Sequence, residues 1–277
     1  MLLERLYHYT HAFETRLFQL YELSLMKYKD SPFDGKFRQR AWKKPGETED
    51  WINLARFIEP GEHVLLVDIG ANVGSFTADF LSVYRNGRSI CFEPVSSTYK
   101  RLSDRFAGNS RVEMHRSAIS DMDGIIDINV HDNSTLSSIV QYTDEANRGY
   151  KTRDEASEKT DCHRLDSLNI QASDERLFVK IDVQGVEIEA IRGAMQTLSR
   201  SDAVLLECSF ADEYASKEPS FAPACALLHK CGLYPIVFQN FGRGLSNYAF
   251  ERDVLFVKRE LLSRIWFTNY EGKNGRS

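Results

Sequence analysis

Acidic residues stand at the ends of several short apolar runs in this chain. Asp68 ends the first such run, and Glu93, Asp182 and Glu207 end three later ones. Continuous apolar runs that alternate with helix-like segments predict buried parallel strands. Ligands of an open parallel sheet bind outside the carboxyl ends of its strands, so we expect these carboxylates to share one ligand-binding edge.

A glycine-containing turn follows the first of these acids. It reads D-x-G-x-N-x-G, with Gly70, Asn72 and Gly74 after Asp68. Glycine lets the backbone approach a ligand, and asparagine tolerates the left-handed conformation better than most residues. The turn lacks the glycine patterns of dinucleotide and phosphate-binding loops, so the ligand need not be a phosphate. Glu93 follows at about 20 residues, the separation at which an acid ending a second strand meets ribose hydroxyls.

The elements that must position these residues follow from the alternation of strand-like and helix-like segments. This alternation favours an α/β domain with a mostly parallel sheet and helices on both faces. We expect strands over residues 63–68, 89–93, 112–119, 177–182, 203–207, 234–239 and 253–258.

Three further segments carry specific expectations. The Asp123-Gly124 turn predicts a hairpin whose next strand is Ile125–Val130. Apolar residues at helical spacing predict one helix from Val186 to Leu198. Residues 141–160 are polar and charged, and we expect them to form a surface loop or lid.

The chain divides into an N-terminal helical extension, residues 1–50, and a Rossmann-like domain, residues 51–277. Apolar residues recur at helical spacing in the extension, which predicts a helix packed on the domain or on a partner subunit in a homodimer. A lid over the substrate or peripheral contact with a membrane surface are the alternatives. The polar face of this helix mixes both signs of charge, which weakens the membrane alternative.

Composition excludes several classes of protein. The net charge of −5 argues against nucleic acid as a partner. No apolar stretch approaches the ~20 residues that span a bilayer, and charged residues near the N-terminus interrupt any signal peptide. The five scattered cysteines favour a reducing, cytoplasmic setting. No His/Cys cluster indicates zinc, and no metal site is predicted, although carboxylates near Asp182 would suit Mg²⁺.

Several motifs in order along the chain resemble the FkbM family of methyltransferases. The resemblance covers roughly residues 60–258 and rests on Val67–Gly74, Phe92–Pro94, Ser117–Asp121 with Gly124, Arg164–Leu168, Lys180–Gly185 with Glu187, and Leu205–Glu207. It implies a class I methyltransferase fold with a seven-stranded sheet, S-adenosylmethionine as cofactor, and O-methylation of sugars or polyketide-like natural products. Gln184 departs from the family, which often has glutamate there.

The same resemblance implies roles for individual residues in binding the cofactor. The Gly70, Asn72 and Gly74 backbone would admit the methionine end, and Glu93 would accept hydrogen bonds from both ribose hydroxyls. Ala118 would flank the adenine. The full set of expected cofactor-binding residues is Asp68, Gly70, Asn72, Gly74, Glu93, Pro94, Ala118, Asp121 and Asp182.

Methylation of an alcohol needs a group that takes the hydroxyl proton. A carboxylate or histidine within hydrogen-bond reach suits that role. Asp182 and Glu207 are the leading candidates, followed by His163. Asp182 could instead be structural or bind the cofactor, and Glu207 could instead cap a helix or order a loop.

Two other functions stay open on the sequence. One is a non-catalytic, cofactor-binding scaffold protein in a biosynthetic assembly, against which the intact cofactor motifs argue. The other is a nucleotide-dependent oxidoreductase, which the missing dinucleotide motif disfavours. The methyl acceptor is expected to be a small molecule or a glycan. Residues 1–50, 131–160 and 211–222 are expected to shape its pocket.

Overall fold

A computed structural model of the protein shows how these segments fold. The described residues are Leu54, 57–131, 154–170, 172, 174–210, 219–238 and 251–262. All of them belong to one compact unit, residues 49–277. The expected N-terminal helical extension therefore lies outside the described residues.

Ten strands are described, and seven of them form the central sheet. The strands are β1 (Val64–Ile69), β2 (Arg88–Phe92), β3 (Val112–His115), β4 (Ser117–Ile119), β5 (Gly124–His131), β6 (Asp154–His163), β7 (Arg176–Ile181), β8 (Ala203–Ser209), β9 (Leu233–Phe238) and β10 (Glu251–Lys258). The central sheet has the order β3-β2-β1-β7-β8-β10-β9. β10 runs antiparallel to both of its neighbours, and the pairs from β3 to β8 are all parallel. The prediction of a mostly parallel, seven-stranded α/β sheet is confirmed.

Helices cover both faces of this sheet. They are α1 (Ser75–Val83), α2 (Ser96–Arg105), α3 (Glu187–Arg192), α4 (Met195–Arg200) and α5 (Phe221–Lys230). Successive side chains of a strand point to opposite faces. Leu65 and Val67 accordingly pack in one buried cluster with α3, α4 and α5, whereas Val64 and Leu66 pack in a second cluster with α1 and α2.

The register of the parallel strands aligns their carboxyl ends. Ile69 of β1 pairs with Phe92 of β2 and with Ile181 of β7, and Ile181 pairs with Leu206 of β8. The residues that come next on these four strands are Gly70, Glu93, Asp182 and Glu207. We call these four residues the strand-end row.

The prediction of one strand over residues 112–119 is wrong. Val112–His115 pairs with β2 in the central sheet, whereas Ser117–Ile119 pairs with β6 in a separate three-stranded sheet of order β4-β6-β5. Only the exposed Arg116 separates the two strands. The chain stays extended throughout, so its composition carries no signal where the pairing partner changes.

The expected loop over residues 141–160 is wrong in its C-terminal part. Residues 154–160 belong to β6, which pairs antiparallel with β5, so the hairpin partner of β5 is β6 and not the strand before the Asp123-Gly124 turn. Ser157 and Lys159 are exposed, whereas Thr160 and Cys162 are buried. Because the inward residues are small, the alternation that marks a strand carries little hydrophobicity.

The single helix predicted over residues 186–198 is interrupted. It consists of α3 and α4, with Gly193 and Ala194 between them. A Cβ on Gly193 would lie 1.8 Å from the carbonyl oxygen of Ser120. The break therefore sits where the chain after β4 packs directly on the backbone between the two helices.

Candidate active site

The turn after β1 has the backbone conformation that its sequence predicts. Gly70, Asn72 and Gly74 have φ angles of 78°, 50° and 75°, in the left-handed region that favours glycine and asparagine. A Cβ on Gly74 would lie 2.4 Å from Phe106, so this glycine lets α1 pack closely against the end of α2. A Cβ on Gly70 would lie 1.7 Å from the carbonyl oxygen of Asp182, so β1 and β7 leave the sheet in close contact.

Glu93 is held rigidly at the end of β2. One carboxylate oxygen accepts a hydrogen bond from the Asn72 amide at 2.9 Å, and the other accepts from the Val95 amide at 3.0 Å. Only 6% of the residue is exposed. Burial raises the pKa of Glu93 to about 7, against the opposing effect of these two hydrogen bonds. Each oxygen keeps a second lone pair, so the carboxylate can still accept hydrogen bonds from a ligand.

Asp68 lies on β1, two residues before Gly70 of the strand-end row, and is fully buried. Its Oδ2 accepts a hydrogen bond from the Thr77 hydroxyl at 2.7 Å, and its Oδ1 lies 3.9 Å from the Lys180 ammonium. Within the described part of the chain, this Oδ1 has no hydrogen-bond partner. Burial raises the pKa of Asp68, while Lys180 and Thr77 act to lower it.

Lys180 is the cation of the site. Its ammonium donates to Asp182 Oδ2 at 2.7 Å and lies 5.3 Å from the ring centre of Phe76 on α1. Burial acts to lower the pKa of Lys180, but Asp182, Asp68 and Asp253 together raise it above its ordinary value. The lysine therefore stays charged among the acids that surround it.

Gln184 connects the two acids of the row that lie on β7 and β8. Its side-chain amide donates to Asp182 Oδ1 at 3.2 Å and to Glu207 Oε2 at 2.5 Å. Burial acts to raise the pKa of Asp182, but Lys180 and hydrogen bonds that involve Lys180, Glu207 and Gln184 hold it below its ordinary value. The Gln184 amide therefore bridges the two carboxyl groups.

The remaining predicted residues lie on or beside the smaller sheet, apart from Pro94, which directly follows Glu93. Ala118 is buried in β4, and the exposed Asp121 follows that strand. His163 ends β6, where its Nδ1 lies 4.0 Å from Asp123 Oδ1. The structure thus brings together Asp182 and Glu207 but pairs His163 with Asp123 on a different sheet.

Lys180 and Asp253 are among the residues of the site that received no role from the sequence. Lys180 directly follows the apolar residues Leu177–Val179 of β7. Lysine is almost never fully buried unless it is paired, so this position indicates a nearby acid. Asp253 is buried on β10 directly opposite Glu207. Only the antiparallel pairing of β10 with β8 places Asp253 there, so the sequence alone could not assign it to the site.

The described ranges also bear on metals, membranes and the acceptor pocket. They contain no group of three or more His, Cys, Asp or Glu residues arranged to hold a metal ion. No helix among them is long and apolar enough to cross a bilayer. Most of the segments expected to shape the acceptor pocket, residues 1–50, 131–160 and 211–222, lie outside the described residues.

The chain is similar to known methyltransferases. Residues 68–233 match the family described as the Methyltransferase FkbM domain. The chain is 27% identical over 216 residues to 2-O-methyltransferase NoeI of Sinorhizobium fredii (strain NBRC 101917 / NGR234), which covers 75% of this chain and 84% of the relative.

Two solved structures resemble the fold at low sequence identity. Methyltransferase FkbM from Methylobacillus flagellatus KT has a TM-score of 0.45 at 14% identity. The match covers 71% of this chain but only 44% of the length of that structure. Precorrin-6y C5,15-methyltransferase from Geobacter metallireducens GS-15 has a TM-score of 0.42 at 14% identity, over 79% of this chain and 93% of the other.

Proposed function

The chain belongs to the FkbM methyltransferase family, as its motifs predicted, and we propose that it methylates a hydroxyl oxygen of a sugar, a glycan or a small natural product with S-adenosylmethionine as the methyl donor. The strand-end row carries this proposal. A glycine and three acids occupy equivalent positions on four adjacent parallel strands, at the edge where such sheets bind ligands. The relative from S. fredii is a 2-O-methyltransferase, which supports oxygen as the methylated atom.

The residues at this edge fit a sulfonium nucleoside. Glu93 is fixed by two backbone amides and keeps one lone pair on each oxygen for the ribose hydroxyls. Glycine in the turn from Gly70 to Gly74 lets a ligand approach the backbone, and we assign this turn to the methionine end. The predicted adenine contacts are Ala118 and Asp121. Asp68 adds a buried oxygen without a hydrogen-bond partner in the described residues. When bound, S-adenosylmethionine supplies an electrophilic methyl group.

The chain itself must position the acceptor hydroxyl and remove its proton. Proximity and alignment supply much of the acceleration of such a transfer. Asp182 directly follows β7 and Glu207 lies at the equivalent position of the adjacent β8. A carboxylate within hydrogen-bond reach can take the proton as the oxygen attacks. Lys180 offsets the charge of Asp182 at 2.7 Å, so the site can hold two carboxyl groups together.

Calorimetry with S-adenosylmethionine and with its demethylated product tests the donor. The Glu93→Ala variant should lose about 1–3 kcal/mol of binding free energy, the scale of a hydrogen bond to a charged group. The matched control is Glu113→Ala, which removes an exposed acid from β3. The absence of measurable affinity in the unmodified protein would refute the choice of donor.

Transfer of a tritiated methyl group to a panel of neutral methyl glycosides tests the acceptor class. The Asp182→Asn and Glu207→Gln variants should both lose transfer, because each removes a proton acceptor with little change in shape. Glu207→Gln should retain affinity for the demethylated product, since Glu207 is not among the expected cofactor-binding residues. Tight cofactor binding without transfer to any acceptor would instead favour the non-catalytic scaffold.

A further inference from the structure

Gln184 is held in an unusual backbone conformation. Its φ angle is 54°, in the left-handed region that glutamine rarely adopts, and Gly185 follows at 93°. Such strain persists only where the surrounding structure enforces it, and it concentrates at functional sites. Here the strained turn, which directly follows β7, carries an amide that contacts two acids of the strand-end row.

The contacts of this amide define its role. Its nitrogen donates to Asp182 Oδ1 and to Glu207 Oε2, while Lys180 donates to the other oxygen of Asp182. The amide therefore bridges two carboxyl groups of the strand-end row. It is neutral and donates whether or not either carboxyl group carries a proton, so it can stabilise the form in which both are ionised.

The chemistry of methylation gives such a pair a purpose. The acceptor O–H bond breaks, the new O–CH₃ bond forms, and the S–CH₃ electron pair returns to sulfur. One proton is released and must be held nearby. On the basis of the proposed methyl transfer, we infer that Gln184 is a positioning residue, which clamps Asp182 and Glu207 side by side and stabilises the doubly ionised form that takes the proton of the acceptor hydroxyl.

Other charged groups face this pair and set the background for its titration. They are Lys180 on β7, Asp68 on β1, Glu93 after β2, Asp253 on β10 and Glu187 at the start of α3. Removal of the amide leaves all of them in place. A change in the titration of the pair on substitution of Gln184 therefore reports the amide itself.

Carboxyl ¹³C NMR of the whole protein, labelled at Asp and Glu, tests the clamp without any acceptor. The Gln184→Met variant should raise the pH at which the pair loses its last proton by about 1–2 units, the shift that a lost hydrogen bond to a charged group produces. Gln184→Asn should shift it in the same direction. Asparagine suits the strained backbone but cannot span both acids. The matched control is Gln196→Met on the exposed surface of α4, which should leave the pair unchanged.

The rate of methyl transfer to an accepted glycoside adds a second readout. In Gln184→Met it should fall about tenfold at neutral pH and recover as the pH rises, with affinity for the demethylated cofactor within threefold of the unmodified protein. An unchanged carboxyl titration in both Gln184 variants would overturn the inference, whatever the activity. Failure of the unmodified protein to bind the cofactor would overturn the proposed function, and the NMR titration would still decide the clamp.

Discussion

Replacement of Gly70 by alanine should create a clash between the ends of β1 and β7 at the centre of the strand-end row. The φ angle of Gly70 is 78°, and an added Cβ would lie 1.7 Å from the carbonyl oxygen of Asp182 and 2.9 Å from its carbon. Ordinary van der Waals contact begins at 3.4 Å. The two segments cannot easily part, because the Asp182 amide donates to the Ile69 carbonyl at 3.0 Å. Both partners in the clash are backbone, so no side-chain rotation relieves it.

The expected loss of stability has two parts. A left-handed conformation costs alanine about 1–2 kcal/mol, and overpacking adds about 1–3 kcal/mol. The loss of unfolded-state freedom on replacing glycine offsets about 0.4–1 kcal/mol. We therefore expect Gly70→Ala to destabilise the protein by about 2–4 kcal/mol.

Two other glycines separate these contributions. Gly108 has a φ of 76° with no heavy atom within 4 Å of an added Cβ, so Gly108→Ala measures the conformational part alone. Gly193 has a helical φ of −73°, but its Cβ would lie 1.8 Å from the Ser120 carbonyl oxygen, so Gly193→Ala measures the clash.

Urea unfolding followed by circular dichroism gives the free energy of unfolding for all three variants. Gly70→Ala should lose more than either Gly108→Ala or Gly193→Ala. It should also bind the demethylated cofactor more weakly, since the turn moves relative to Asp182. If Gly70→Ala and Gly108→Ala lost equal stability, the close contact between β1 and β7 would be disproved, and with it the geometry of the row.

Three further predictions concern charge at and near the site. Glu93 has a pKa of about 7, raised above its ordinary value. The stability that its protonated form contributes is lost as the pH rises from about 4.5 to 7. Cofactor affinity needs the ionised form, so calorimetry should show it rising about tenfold between pH 6 and pH 8. The affinity of Glu93→Gln should stay constant over the same range. Lys180→Met should lower the free energy of urea unfolding by about 3–5 kcal/mol, because Asp182 would lose its ion pair and the buried Asp68 its nearby cation; a loss below about 1 kcal/mol would argue against that ion-pair network. Glu158 accepts hydrogen bonds from the backbone amide and hydroxyl of the first residue of α2. Glu158→Ala should therefore destabilise the protein by about 0.5–2 kcal/mol and lower its thermal midpoint. The control, Asp161→Ala on the same strand, should change the midpoint little.

The strand-end row can be predicted from the sequence because an acid follows each of three apolar runs. These acids are Glu93, Asp182 and Glu207, and parallel pairing in register places them beside Gly70. The left-handed turn is also predictable, since glycine and asparagine occupy the positions that need it. These features depend on local residue types and on one rule of topology.

The features that the sequence does not predict depend on contacts between distant segments. β6 pairs with β4 on one side and β5 on the other, and its polar residues reveal neither partner. The break between α3 and α4 follows from the contact of Gly193 with the chain after β4. Asp253 reaches the site through an antiparallel strand that begins more than forty residues after Glu207. Hydrophobic periodicity records the burial of a residue but not the identity of its neighbour.

The positions of Asp68 and Asp182 indicate why Lys180 stands in the buried part of β7. Asp68 and Lys180 are register partners on adjacent strands, and Lys180 also binds Asp182 two residues along its own strand. Replacement of a buried ion pair by well-packed apolar residues is often neutral or stabilising, so stability alone does not require these charges. The single ammonium of Lys180 acts to lower the pKa of both acids and so favours their ionised forms. Ionised acids at this edge of the sheet would suit both the cationic methyl donor and the departing proton of the proposed methyl transfer, which gives the arrangement a reason beyond folding.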